Sequence, residues 1–474
     1  MLINRVELED LRVWFNSPGR KPLVIRGARQ VGKSTLVTLF AKQQNLQLFA
    51  INLERNPEYQ QAFTTNDPKK IISTLELIVG KKLSLTDGLL FIDEIQTAPK
   101  ALATLRYFYE ELPALRVMAA GSLLEFALAD MPFSMPVGRI EYLHLGPLRF
   151  EDFLKSCGQE ALAHYIGQLT FEEIQAAVLP EAVHHQLLEY LKLFWIVGGM
   201  PEAVAIYAAS HDFMEVARVH HSIVDTYRDD FNKYSKTAQR NIVQLVFDQL
   251  PMHIGKKLKY TLLSRDHRSA EMSDALQLLC LAKIVSKIFH SSANGVPLGA
   301  GQNERIFKIL FLDVGLVCAA LKLNLFNLDN QKLTMINQGA LAEQFIGQHL
   351  LYAAPAFQQP SLFYWQREAK SAAAEVDYVM SDGQQIIPVE IKAGTTGALK
   401  SMHQFLAEKN RVLGLRFNAD VPSFLSDKHK LTDGRSVNYQ LLSLPLYLVG
   451  QTQRLLNQSL NQSLNQLPTK NETH

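Results

Sequence analysis

Gly27, Ala28, Arg29, Gln30, Val31, Gly32, Lys33, Ser34 and Thr35 run as a glycine, four residues, then glycine-lysine-serine. Glycines let backbone N–H groups close around a phosphate chain, and a lysine adds a positive charge. On this spacing Lys33 reaches the β- and γ-phosphates of ATP, and the Ser34 hydroxyl ligates Mg²⁺. Further along, the apolar run Leu89-Leu90-Phe91-Ile92 ends in Asp93-Glu94. Two acids closing a buried strand suit a Mg²⁺ held by Asp93 through its water shell and an attacking water polarised by Glu94. Ser122 ends another apolar run and has two readings, a sensor of the γ-phosphate or its water, and a plain Gly-Ser turn. Arg139 also has two, a cationic contact to phosphate within its own copy or a neighbour's, and an ordinary surface arginine.

These residues need strands and helices that deliver them to one place. Pro22–Arg26 reads as a short buried strand and Leu36–Phe40 as the helix after the loop, whose N-terminal dipole end favours phosphate. Residues 4–15 read as an amphipathic helix with Val6, Leu11 and Phe15 inward. Strands are expected at 46–53, 115–122 and 140–145, and helices at 67–79, with Asp67 as N-cap, and at 100–112. Strands alternating with helices predict an α/β fold with a doubly wound parallel sheet, its ligand at the carboxyl ends of the strands.

A second group of chemical residues lies near the C-terminus. Glu343 falls in a helix over 341–351. Glu375 and Asp377 share one face of a strand, and Glu390 and Lys392 share one face of the next, after a turn at Ser381-Asp382-Gly383. Charges inside apolar strands need a partner or a metal. Either they pair with neighbours, or Asp377 and Glu390 hold Mg²⁺, assisted by Glu343, while Lys392 orients or deprotonates a water.

Between the two groups the pattern is helical from Arg149, broken by Phe194-Trp195-Ile196-Val197-Gly198-Gly199-Met200-Pro201, which reads as a junction and a candidate hinge. Residues 225–308 hold thirteen Lys/Arg and eight Asp/Glu, a local +5 against +2 for the whole 474-residue chain. Lys256, Lys257 and Lys259 cluster beside Tyr260, with Arg265 and Arg268 close behind. Helices near 239–250 and 270–281, followed by strands around 284–289 and 306–312, have the order of a winged helix-turn-helix. DNA contact and protein contact both remain open for it.

The near-neutral total excludes a global polyanion binder, so any nucleic-acid case is local. Cys157, Cys280 and Cys318 are isolated, which fits a reducing, cytoplasmic setting. No apolar run approaches the roughly eighteen residues of a membrane span, so no membrane partner is expected. The His184-His185 and His220-His221 pairs have no ligand spacing. From about residue 451 the chain turns to Asn-Gln-Ser-Leu repeats; Leu456, Leu460 and Leu464 recur every fourth residue and allow a marginal helix, but disorder is the expectation for so polar a tail.

Taken together, the chain resembles a prokaryotic family that joins an AAA-type P-loop ATPase to a C-terminal domain of uncharacterised function. The resemblance rests on 27–35, Phe91–Gln96, Ala120–Ser122, Gly138-Arg139, Gly198–Pro201, Phe311–Leu316, and Val376-Asp377 with Glu390–Lys392. It implies a winged-helix segment and then a restriction-endonuclease-like α/β domain of the PD-(D/E)xK type, although Val376 stands where that motif has proline. The expected organisation is an ATPase core at 1–155, a helical lid at 156–225, a winged-helix-like domain at 226–330, a nuclease-like domain at 331–450 and a polar tail at 451–474. The expected activity is ATP hydrolysis with ATP and Mg²⁺ as cofactors, coupled to DNA or RNA binding or processing. The alternative is a nucleotide-dependent switch whose C-terminal domain only recognises a protein partner, with a homo-oligomer open in either case.

Overall fold

The apolar run before the glycine loop is strand β1 (Leu23–Arg26), preceded by α1 (Glu7–Asn16) and followed by α2 (Lys33–Gln43). β2 (Gln47–Asn52), α3 (Pro68–Val79), β3 (Gly88–Asp93), α4 (Pro99–Glu111), β4 (Arg116–Gly121), α5 (Leu124–Ala129) and β5 (Glu141–His144) come next. The structure is a computed structural model and describes residues 3–129, 138–234, 237–322, 338–367, 374–394 and 399–465.

The first five strands form an all-parallel sheet in the order β2-β3-β4-β1-β5. Alternate residues feed two different cores, as the two-residue strand period requires. Leu23, Ile25, Leu89, Phe91, Met118 and Ala120 enter one, and Val24, Leu90, Ile92, Val117 and Ala119 the other. Asp67 caps α3 by accepting from the backbone N–H groups of Lys69 and Lys70. One expectation fails in α1. Its buried face is Glu7, Leu8, Leu11 and Trp14, while Val6 is 43% exposed. Leu8, Leu11 and Trp14 set the inward stripe and Val6, the N-cap just before the helix, lies off it, while Glu7 is buried beside the stripe in an ion pair with Arg5 at 3.0 Å.

From Phe150 the chain is helical through α6 (Phe150–Ser156), α7 (Glu160–Gln168), α8 (Phe171–Gln175), α9 (Glu181–Val197), α10 (Pro201–Ser210), α11 (Phe213–Tyr234) and α12 (Thr237–Gln249). Then come α13 (Tyr260–Leu263), α14 (Ser269–Leu281), β6 (Val285–Ser291), β7 (Gln302–Phe311) and α15 (Val314–Ala320). The remainder is α16 (Gln338–Leu351), β8 (Phe363–Gln366), β9 (Glu375–Asp382), β10 (Gln385–Ile391), α17 (Lys400–Lys409), β11 (Leu413–Asn418), β12 (Ser423–Lys430), β13 (Ser436–Pro445) and α18 (Thr452–Asn465).

α12, α14 and the β6–β7 hairpin occur in the order read from the sequence, but the hairpin is not a free wing. β6 pairs in parallel with β8, so β6 and β7 form one side of a mixed eight-stranded sheet ordered β12-β13-β11-β10-β9-β8-β6-β7. α16, buried from Leu341 to Leu351, covers one face. α17 covers the other with Met402, Phe405 and Leu406. The result is a helix, sheet, helix sandwich.

The disorder expected from residue 451 does not hold for 452–465. There α18 buries Leu455 and Leu456. Arg454 donates to the carbonyls of Leu169 and Ile166, and Gln458 accepts from the Phe171 N–H. A polar repeat becomes an ordered helix because its side chains meet backbone groups at the ends of α7 and α8. The last nine positions of the tail, 466–474, lie outside the described residues. Among the described residues no helix is long and apolar enough to cross a membrane.

Candidate nucleotide site and C-terminal acidic cluster

β1 delivers the glycine loop to the carboxyl edge of the parallel sheet. Gly27 has no room for a side chain there, since a Cβ would overlap the Leu145 carbonyl oxygen just past β5. Gln30 and Gly32 take positive φ, 65° and 90°, which curls the loop so that its amides form an anion-binding concavity. α2 begins at Lys33 with no side-chain cap, so its first N–H groups remain available to a phosphate. Thr35 lies in its first turn, exposed.

The Lys33 ammonium folds back onto the loop and donates to the carbonyls of Ala28 at 2.7 Å and Gly27 at 3.0 Å. Burial pushes its pKa down to about 8, against the attraction of Glu94 and Asp93. The Ser34 hydroxyl donates to Asp93 Oδ2 at 2.8 Å. Burial raises the Asp93 pKa, and that hydrogen bond partly offsets the rise. The pair is a hard-oxygen set at the mouth of the loop, and it fits a Mg²⁺ ion. Glu94 follows at φ 51°, and its Oε2 accepts from Gln96 at 2.6 Å and from the Ser122 hydroxyl at 3.1 Å. Thus Lys33, Ser34, Asp93, Glu94 and Ser122 converge on one edge of the sheet.

Two residues to which the sequence reading gave no role join them. Asn52 pairs with Asp93 in register between β2 and β3, and its amide reaches Asp93 Oδ2 at 3.3 Å. A polar residue ending the neighbouring strand was the available signal. Gln96 was marked only as the end of Phe91–Gln96, without a role, and the turn after Glu94 aims it back at that carboxylate.

Arg139 is not brought to this edge. It stands two residues before Glu141, which pairs with Leu23 at the start of β1, whereas the glycine loop follows Arg26 at the other end. Its guanidinium bonds Glu110 at 2.9 Å and lies over the Tyr109 ring. A parallel sheet fixes the separation, since the amino ends of all five strands face away from the loop. A phosphate contact by Arg139 within its own copy is therefore corrected.

The loop is also gripped from the helical region. Tyr227 of α11 donates to the Arg29 carbonyl at 3.0 Å, and the Arg29 guanidinium pairs with Asp230 at 3.1 Å. Arg5 donates to the Val31 carbonyl at 2.6 Å. Pro201, at the start of α10, lies against Gly32. The segment before Pro201 is tied in turn to the far end of β7. Asp313 accepts from the Gly199 N–H at 2.6 Å, and from Gly315 and Leu316. Gly198, at φ 72°, passes so close that a Cβ would overlap Asp313 Oδ1.

The C-terminal charges do converge, but around a lysine that sequence reasoning missed. Lys308 of β7, 2% exposed, places its ammonium 2.8 Å from Glu343 and 2.8 Å from Glu375. Lys257 holds the other oxygen of Glu375 at 2.7 Å. Asp377 accepts from the Ile391 N–H at 2.8 Å, and Glu390 pairs with Lys392 at 2.6 Å. Burial opposes the charge on Lys308, but Glu343, Asp377 and Glu375 outweigh it and hold the ammonium above its ordinary pKa. Burial raises the carboxyls of Asp377 and Glu390. Among the described residues no group of three His, Cys, Asp or Glu could hold a metal ion. Lys308 thus engages Glu343 and Glu375, whereas Asp377 accepts from the Ile391 backbone and Glu390 Oε2 is buried without a hydrogen-bond partner.

Residues 19–154 match the family described as an AAA domain. Residues 188–327 and 338–441 match two domains of unknown function, DUF8612 and DUF4143. No curated protein matches the chain. Among solved structures, a Walker-type ATPase of Pyrococcus abyssi is similar at 14% identity over 68% of this chain and 96% of that one, with a TM-score of 0.42. The ORC2 protein of Aeropyrum pernix, solved in ADPNP and ADP complexes, is similar at 12% identity over 68% and 95%, with a TM-score of 0.34. Likenesses this distant carry no argument here. The AAA match and the loop geometry together define an AAA-type P-loop domain at the front of the chain.

Proposed function

We propose that this protein hydrolyses ATP at the edge of its parallel sheet and passes the nucleotide state to its C-terminal sheet. The convergence of Lys33, Ser34, Asp93, Glu94 and Ser122 carries this reading. Ser34 and Asp93 would hold Mg²⁺, which supplies charge neutralisation of the phosphates when bound. Lys33 exchanges the Gly27 and Ala28 carbonyls for phosphate oxygens. Glu94, released from Gln96 or Ser122, orients a water and accepts its proton. Phosphate release from ATP and Mg²⁺ tests it, and turnover that persists in Lys33→Ala would sink it.

For the C-terminal sheet, the ammonium among the acids favours a recognition module over a phosphodiesterase. A nucleic-acid target keeps one specific support, the exposed Lys256, Lys259, Arg265 and Arg268 around α13. Against it, α14 presents Glu271 and Asp274 on its exposed face, where phosphates would repel them. Retention on heparin at two salt concentrations separates these readings. Phosphate-type contacts weaken steeply with salt, and a protein-recognition face leaves the chain unretained at both.

A further inference from the structure

Arg5 stands just ahead of α1 with its side chain 4% exposed, and each nitrogen of its guanidinium has a partner. Nε donates to the Glu7 carboxylate at 3.0 Å, and Nη2 donates to the carbonyls of Gly146 at 2.7 Å and Pro147 at 3.3 Å, just past β5. Burial opposes the charge on Glu7, but Arg5 and Arg149 outweigh it and hold the carboxyl below its ordinary pKa. These anchors belong to α1 and to the segment after β5, so they fix the cation against the parallel sheet without the glycine loop. Nη1 is left for the loop. It donates to the Val31 carbonyl at 2.6 Å and lies 3.7 Å from where a Cβ on Gly32 would sit.

We infer that Arg5 is a positioning residue for the phosphate loop, holding the Val31 carbonyl on the outside so that the Gly32 N–H is turned inward to a nucleotide phosphate. A trans peptide sets its C=O and the following N–H antiparallel in one plane. The Val31-Gly32 bond is trans, since among the described residues the cis peptide is Val296-Pro297. Drawing the Val31 carbonyl toward Arg5 therefore sends the Gly32 N–H the opposite way, away from the cation. A hydrogen bond from an ionised donor is roughly twice as strong as a neutral one, and this donor is already held in place by three other acceptors. A loop shaped before its ligand arrives loses less freedom on binding. Loop amides cradle the α- and β-phosphates, so the gain falls on diphosphate and triphosphate alike. The inference rests on the nucleotide reading of the loop.

The test is calorimetric titration of the full chain with ADP and with a non-hydrolysable ATP analogue, both with Mg²⁺, beside thermal melting and phosphate release. Arg5→Met removes every donor and should weaken ADP and the analogue by the same factor, at least about tenfold. It should raise KM for ATP while kcat stays within about twofold, the pattern of lost uniform binding. Arg149→Met opens the same buried cluster, where Arg149 lies 3.7 Å from Glu7 and donates to the Tyr352 carbonyl, but it leaves Val31 untouched. That variant should melt earlier than wild type and still bind ADP as wild type does. Should Arg5→Met fail to fold, Arg5→Lys decides, because it keeps the charge but not the three-nitrogen fork, and it too should weaken ADP. Wild-type ADP affinity in a folded Arg5→Met or in Arg5→Lys overturns the inference. So does an Arg149→Met that weakens ADP as much as Arg5→Met, since the loss would then follow the stability of the cluster. A wild-type chain that binds neither nucleotide sinks the ATP reading itself, and the role of Arg5 with it.

Discussion

The carboxylate of Asp313 accepts the backbone N–H of Gly199 at 2.6 Å, across 114 residues of sequence. Gly315 and Leu316 donate to its other oxygen, so one fully buried side chain satisfies three amides. Asp313→Ala leaves those amides without partners and should destabilise the fold by about 3 kcal/mol, read from denaturant midpoints. Burial raises the Asp313 pKa to about 6, against the hydrogen bonds from Gly199, Leu316 and Gly315. The folded state then holds the proton more tightly than the unfolded one. Its contribution is fully present below the unfolded pKa of about 4 and is lost as pH rises through about 6. That fall should be missing from the alanine variant.

Lys33 gives the nucleotide site a pH signature. Its pKa is near 8 while it is buried against carbonyls, and phosphate oxygens should raise it again. Binding of ATP above pH 8 then takes up a proton, so affinity should fall by up to about tenfold per pH unit from there. Calorimetry at pH 9 in two buffers of different ionisation heat measures the proton directly. Identical heats in both would contradict the assignment.

Glu94→Gln should bind ATP normally and hydrolyse it about a thousandfold more slowly, equivalent to roughly 4 kcal/mol of barrier. The amide keeps the geometry offered to Gln96 and Ser122 but cannot accept a proton from water. A wild-type rate with wild-type affinity would remove Glu94 from the chemistry.

Arg139 sits at the opposite end of the sheet from Lys33. Arg139→Ala should therefore match wild-type turnover in dilute protein. Any role in a neighbouring copy's site would show as a difference that grows with protein concentration. A loss at every dilution would mean that the arginine reaches its own site after all.

The parts of the molecule legible in the sequence are those whose partners lie on one strand-loop-helix unit. Gly27 to Thr35 and Asp93-Glu94 needed only local spacing, and their strands read correctly because alternate residues enter two dry cores. The Lys308 cluster was half visible. Glu375, Asp377, Glu390 and Lys392 share strands, but Lys308 meets Glu343 from 35 residues away, through a hairpin that reads as a wing. Val6 misled because it is the N-cap and lies off the Leu8, Leu11 and Trp14 stripe that α1 turns inward. The tail misled because α18 is held by backbone groups 285 and more residues upstream.

β6 and β8 share hydrogen bonds although one lies within residues 188–327 and the other within 338–441, stretches that match two separate families. A cut between those stretches would strip β8 of its neighbour and leave raw strand edges on both products. Each half expressed alone should aggregate, while the two mixed should recover solubility by re-forming one sheet. What sequence families count as two inheritable pieces is, mechanically, one plank.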